Sequence, residues 1–166
     1  MKRARQPQVA VAGGSECGRR TARLAHALGR EIAAAGAILV CGGLGGVMEA
    51  VARGAAEAGG TVIGILPGYA HDDGNRHLTA RIPTGLGYAR NILVAAAGDA
   101  LIALPGKHGT LSEIALARVL GRPVVALGGW RGVPGVVTAR TPAEAVRRAL
   151  RAYPTRRPRL DLLCDR

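Results

Sequence analysis

Residues 105–110, Pro-Gly-Lys-His-Gly-Thr, place two glycines, a lysine and a hydroxyl within one turn of chain, directly behind a short apolar run at 100–104. Their chemistry is that of an anion site. Glycine lets a ligand approach the main chain closely, and Lys107 supplies a point charge. A helix opening at Thr110 would aim free N–H groups and a positive helix end at the same point. That helix is read from Leu111, Ile114, Ala115 and Leu116, apolar at helical spacing. A phosphate-bearing ligand is the natural guest. The bland alternatives are a surface lysine and a capping box, Thr110-Leu111-Ser112-Glu113, which satisfies a helix start without a ligand. The same box recurs at Thr141-Pro142-Ala143-Glu144 with no glycine turn before it.

Other candidates are weaker taken singly. Arg90 opens a helix at 90–97 behind Thr84-Gly85-Leu86-Gly87, where a solvated arginine is the plain reading. His71, Asp72, Asp73 and His77 have a metal site's composition, but their spacing fits a solvated loop better. Ser15 and Cys17 lack a His/Asp arrangement to activate them. The dinucleotide fingerprint GxGxxG is absent, and Cys41-Gly42 stands where an acidic residue would bond a ribose hydroxyl, so NAD is disfavoured. A Walker loop is absent too, because His108 follows Gly106-Lys107.

The elements that must position these residues alternate. Apolar strands are expected at 9–12, 38–41, 61–66, 100–104 and 123–127, with short ones at 79–82 and 136–137. Helices are expected at 21–35, from 47 to about 58, at 90–97, from 110, and from 141 to about 152. A polar loop covers 69–78, and a basic, proline-punctuated tail covers 154–166. The pattern predicts one α/β domain over 1–153, a three-layer modified Rossmann fold with a parallel sheet covered by helices on both faces. In such a sheet the turns behind the strands leave at one edge, where ligands bind. The glycine clusters at 13–14, 42–46, 106–109 and 128–129 should therefore face one crevice.

The net charge of +12 divides unevenly: +6 over residues 1–30, +1 over 31–139 and +5 over 140–166. The excess reads as a solvated fringe at the two ends. Tyr69, Tyr88, Trp130 and Tyr153 are the only aromatic residues, which poorly supplies a base-stacking surface and disfavours nucleic acid as partner. Cys17, Cys41 and Cys164 are scattered without CxxC spacing, which fits a reducing cytoplasm. No secretory signal or membrane span is read, since the charge-free run 33–48 is short and broken by glycines.

Three motifs, GGLGGVMEAVARGA at 42–55, TGLGYARN at 84–91 and LPGKHGTLSEIALA at 104–117, together resemble one superfamily. It contains the LONELY GUY phosphoribohydrolases, formerly labelled lysine decarboxylases, the molybdenum cofactor carrier proteins and the Rossmann part of DNA processing protein A. The likeness covers about residues 8–150 and is strongest to the bacterial branch near the molybdenum cofactor carriers. The family pattern PGGxGTxxE aligns with residues 105–113, with Lys107 in place of its second glycine. The resemblance implies that Arg90, nine positions before Asp99, and Glu113 are catalytic. It implies ligand contacts from Gly13, Gly14, Ser15, Gly42, Gly43, Gly45, Gly46, Met48, Glu49, Asn91, Pro105, Gly106, Lys107, His108, Gly109 and Thr110. The activity implied is cleavage of a nucleoside 5′-monophosphate to free base and ribose 5-phosphate, with no cofactor required. The alternatives are a non-catalytic carrier of a phosphorylated pterin, with nucleotide or molybdopterin bound, and a nucleic-acid-binding protein. A homo-oligomer, dimer or tetramer, is expected from the resemblance and from apolar helix faces.

Overall fold

The computed structural model describes residues 5–151. Seven strands form one all-parallel sheet: β1 (Gln8–Ala12), β2 (Ile38–Cys41), β3 (Val62–Leu66), β4 (Ala80–Pro83), β5 (Ala100–Ala103), β6 (Val124–Leu127) and β7 (Val136–Ala139). Their order across the sheet is β4-β3-β2-β1-β5-β6-β7. The first strand is therefore the centre. The chain builds outward from it through β4, then crosses back and builds outward on the other side. The reversal lies between β1 and β5, in register from Val9 beside Ala100 to Ala12 beside Ala103. At such a point two successive turns diverge and leave a crevice at the strands' carboxyl ends.

Five helices cover the faces: α1 (Arg19–Ala34), α2 (Val47–Glu57), α3 (Asn91–Ala97), α4 (His108–Val119) and α5 (Pro142–Arg151). Alternation in the strands sorts the core. Val9, Val11, Leu39 and Cys41 point toward α1, α2 and α5, while Ala10, Ala12 and Val40 point toward α3 and α4. The central strands are buried on both faces, hence their unbroken apolar runs. The three-layer α/β reading holds. Helices α1 and α2 pack with main chains nearly touching. A Cβ on Gly29 would collide with the backbone of Val51, and one on Gly54 with that of His26. Glycine inside each helix is what permits the crossing.

Several boundaries differ from expectation. Helix α1 starts at Arg19, because Gly18 caps it without a side chain and so leaves no capping signature. Arg90 closes a 3-10 turn, Gly87–Arg90, and α3 begins only at Asn91. Helix α4 begins at His108 with Lys107 as its cap residue, so Thr110–Glu113 is not a capping box. At Thr141 the cap does form, in a shifted version of the box: Glu144 N–H donates to Thr141 Oγ1 at 3.2 Å, while Glu144 Oε2 accepts at 2.9 Å from the N–H of Arg140, one residue before the cap. The expected basic tail and the end of the last helix lie outside the described residues. Among the described residues no helix is long and apolar enough to cross a membrane.

Candidate functional site

At the reversal point the turns behind β1 and β5 are joined through main chain. Gly14 N–H donates to Pro105 O at 3.1 Å, Leu104 N–H to Ala12 O at 2.9 Å, and Val47 N–H to Gly14 O at 2.9 Å. Gly106 is held so closely that a Cβ there would meet Thr110 Oγ1 and, at 2.9 Å, Gly14 N. The indole of Trp130 fixes the end of β5 from behind, donating to Leu104 O at 2.7 Å. Over these turns opens a cavity of about 540 Å³, within the size range of small-molecule sites.

Two helix starts aim at it. In α4 the first amide engaged is that of Leu111, bonded to Lys107 O, so the amides of His108, Gly109 and Thr110 have no intrahelical acceptor. In α1 the first is that of Ala22, bonded to Gly18 O. Gly18, Thr21, Gly109 and Thr110 all line the cavity. Positive helix ends and unused N–H groups favour an anion here.

The floor is a buried guanidinium beside a buried carboxyl. Arg90 is 7% exposed and Glu113 6%, and Arg90 Nη1 stands 3.9 Å from Glu113 Oε1. Arg90 also donates to Asn91 Oδ1 and, at 3.5 Å, to Gly42 O, while its Nε is buried without a partner. Asn91 is oriented in turn, its Nδ2 donating to Ser112 Oγ at 2.9 Å and Gly109 O at 3.3 Å. Burial pushes the Glu113 carboxyl up to about 8, and the neighbouring guanidinium offsets only part of that rise. Burial likewise pulls Arg90 below its ordinary value, opposed by Glu113 and then by Cys41. Cys41, beneath the floor, is pushed up to about 11 by burial and is an inert thiol at neutral pH.

Of the candidate residues, Gly13, Gly14, Ser15, Met48, Arg90, Asn91, Pro105, Gly106, Lys107, Gly109, Thr110 and Glu113 line this one cavity. Gly42, Gly43, Gly45, Gly46, Glu49 and His108 do not. Gly42 sits under Arg90, where a Cβ would strike the guanidinium, and Gly46 packs on the backbone of Gly14 and Ser15. Glu49 and His108 face solvent. The turn at Gly128-Gly129, expected in the same crevice, borders a neighbouring hollow instead, because Pro105 stands between. Glu16, Cys17, Gly18, Thr21, Leu44 and Tyr88 line the cavity as well, beyond the expected ligand contacts. Leu44 and Tyr88 lie inside the glycine motifs and Glu16, Cys17 and Gly18 directly follow the first glycine turn, which is the signal for them in sequence; Thr21 carries none. Among the described residues no group of three or more His, Cys, Asp or Glu could hold a metal ion, and the loop at 71–77 is no exception.

The chain is similar to known proteins over most of its length. A molybdenum cofactor carrier protein from Chlamydomonas reinhardtii superposes with a TM-score of 0.82 at 34% identity, covering 89% of this chain and 98% of that one. An uncharacterized protein of Archaeoglobus fulgidus is 44% identical over 139 residues, 84% of this chain and 91% of its own length. A cytokinin riboside 5′-monophosphate phosphoribohydrolase of Rhodococcoides fascians is 40% identical over 111 residues, which is 63% of this chain and 56% of that enzyme. The superfamily likeness read from the three motifs is thus upheld. The family model that matches spans residues 6–152, and the chain belongs to the SLOG cluster4 family.

Proposed function

We propose that the cavity binds a nucleoside 5′-monophosphate and hydrolyses its N-glycosidic bond, releasing free base and ribose 5-phosphate. The observation that carries this reading is the Arg90–Glu113 pair, buried at the floor of a cavity whose rim is built of free helix-end amides. The 5′-phosphate is held at Gly106–Thr110, with Lys107 as counter-charge. Arg90 positions the ribose or phosphate. The raised Glu113 carboxyl is protonated at neutral pH and so can give its proton to the departing base. The resulting carboxylate then faces the oxocarbenium-like ribose, stabilises its charge and takes a proton from the attacking water. Water supplies both atoms that balance the reaction: hydroxyl to C1′ and, through Glu113, hydrogen to the base. The phosphoribohydrolase among the relatives supports this choice of reaction.

A second reading, a non-catalytic carrier of a phosphorylated pterin, is favoured by the molybdenum cofactor carrier that matches over nearly its whole length. The same amides and Lys107 suit that anion, and Glu113 then has no role in turnover. Purified protein incubated with AMP and related monophosphates separates the two. Hydrolysis predicts ribose 5-phosphate, kcat/KM falling above about pH 8, and at least ~100-fold loss in Glu113→Gln. Carriage predicts no release, a pterin that co-purifies, and unchanged pterin binding in the same variant.

We also propose a homo-oligomer. Leu86, Tyr88, Ile92, Leu93 and Leu111 are exposed on α3, α4 and the turn before them, the face covered by two helices rather than three. Tyr88 joins this surface to the cavity.

A further inference from the structure

Across a ridge formed by Thr21 and Pro105, which line both hollows, lies a larger cleft of about 1440 Å³. Its walls come from the start of α1, the turn behind β6, the end of β7 and the start of α5. Arg19, Arg20, Arg23, Arg131 and Arg140 line it, and no carboxylate does. None of these five arginines forms an ion pair among the described residues.

This arrangement is electrostatically unfavourable as it stands. Arg19, Arg20 and Arg23 fall in the first five residues of α1, at its positive end, with no acidic residue in the first turn and no side-chain cap. Cations there oppose the helix dipole, and five like charges around one hollow repel each other. Helices α2 and α5 show the ordinary remedy, with Glu49 in the first turn of α2 and Glu144 closing the start of α5; α3 and α4 also lack an acidic first turn, but neither gathers arginines there. A local conflict left uncompensated marks a place where function outweighs stability. The charge excess that looks in sequence like two separate fringes is partly collected here. Three of the arginines come from residues 1–30 and one from beyond 139.

We infer that the cleft is a second anion site, for a small ligand carrying several clustered phosphoryl groups. One phosphate engages one or two guanidinium forks; five arginines around a hollow of this size match a phosphate chain. Thr21 and Thr138 line the cleft as well. No aromatic side chain lines the cleft, so bases find no stacking surface there, and a phosphate chain is favoured over a nucleic-acid strand. The inference does not depend on what the first cavity does.

The test uses inorganic tripolyphosphate with the full chain, read by calorimetry and by the fluorescence of Trp130, the one tryptophan, adjacent to Arg131. Tripolyphosphate should bind saturably, more weakly as salt rises, and at least about tenfold more weakly in Arg20→Ala/Arg131→Ala. AMP binding should be the same in that variant as in the parent. Without ligand the variant should melt no lower than the parent, since repulsion has been removed, which separates lost binding from lost folding. Absence of saturable binding overturns the inference, as does binding undiminished in the variant. Displacement of tripolyphosphate by equimolar AMP would make the two hollows one site and overturn it as well. Tighter binding of a single-stranded oligothymidylate through the same arginines would replace the small ligand with nucleic acid, and the assignment would fall.

Discussion

A carboxyl group that stays protonated at neutral pH constrains the fold as well as the chemistry. Glu113 ordinarily titrates near 4.5, and burial moves it to about 8. With the folded value raised, the stability of the neutral form is complete below about 4.5. It is lost progressively as pH rises toward 8 and is constant above that. Glu113→Gln keeps the shape and removes the titration. Its melting temperature should therefore match the parent's near pH 4.5, exceed it by a margin growing to about pH 8, and hold that margin beyond. A pH-independent difference, measured by scanning fluorimetry, would contradict the burial argument. Both members of the pair were legible only through their motifs. Arg90 looks like any arginine at a helix start, and Glu113 like a capping glutamate. The box failed because α4 starts two residues early, at His108, which puts Thr110 and Glu113 on its buried side. Residue types announce a cap; they do not announce which amide the helix engages first.

At the scale of elements, the α1–α2 crossing offers the clearest test. Alanine normally favours a helix interior over glycine by about 1 kcal/mol. In Gly29→Ala the added methyl would run into the carbonyl of Val51, so overpacking of about 1–3 kcal/mol should outweigh that gain. Urea denaturation should show net destabilisation, and a stabilised variant would mean that the helices separate freely. The strands were readable because a central parallel strand must be apolar on both faces, as Ala100–Ala103 is. The start of α1 is not legible, since Gly18 caps it with no side chain, and Arg19 and Arg20 precede the helix expected at 21–35. Nor is the tight crossing, because isolated glycines in a helical pattern do not say which neighbour they admit.

For the whole molecule, strand order decides which turns meet, and strand order is not written in any local pattern. The glycine clusters all reach the carboxyl edge, yet only those behind β1 and β5 flank the reversal, while Gly128-Gly129 falls beyond Pro105. The same long-range geometry gathers arginines that are far apart in sequence. The two-helix face carries the proposal of assembly. Light scattering after size exclusion should give a dimer or larger, and Ile92→Glu/Leu111→Glu should shift it toward monomer; a monomeric parent would contradict it. The central claim is that the turns at the reversal grip a phosphate. It is tested most directly by calorimetric titration of AMP and of adenosine into Glu113→Gln, where slow turnover does not obscure binding. AMP should bind about 10- to 100-fold more tightly than adenosine, as expected for charge-assisted bonds to a phosphate. Equal affinities, or no binding of AMP, would contradict the account.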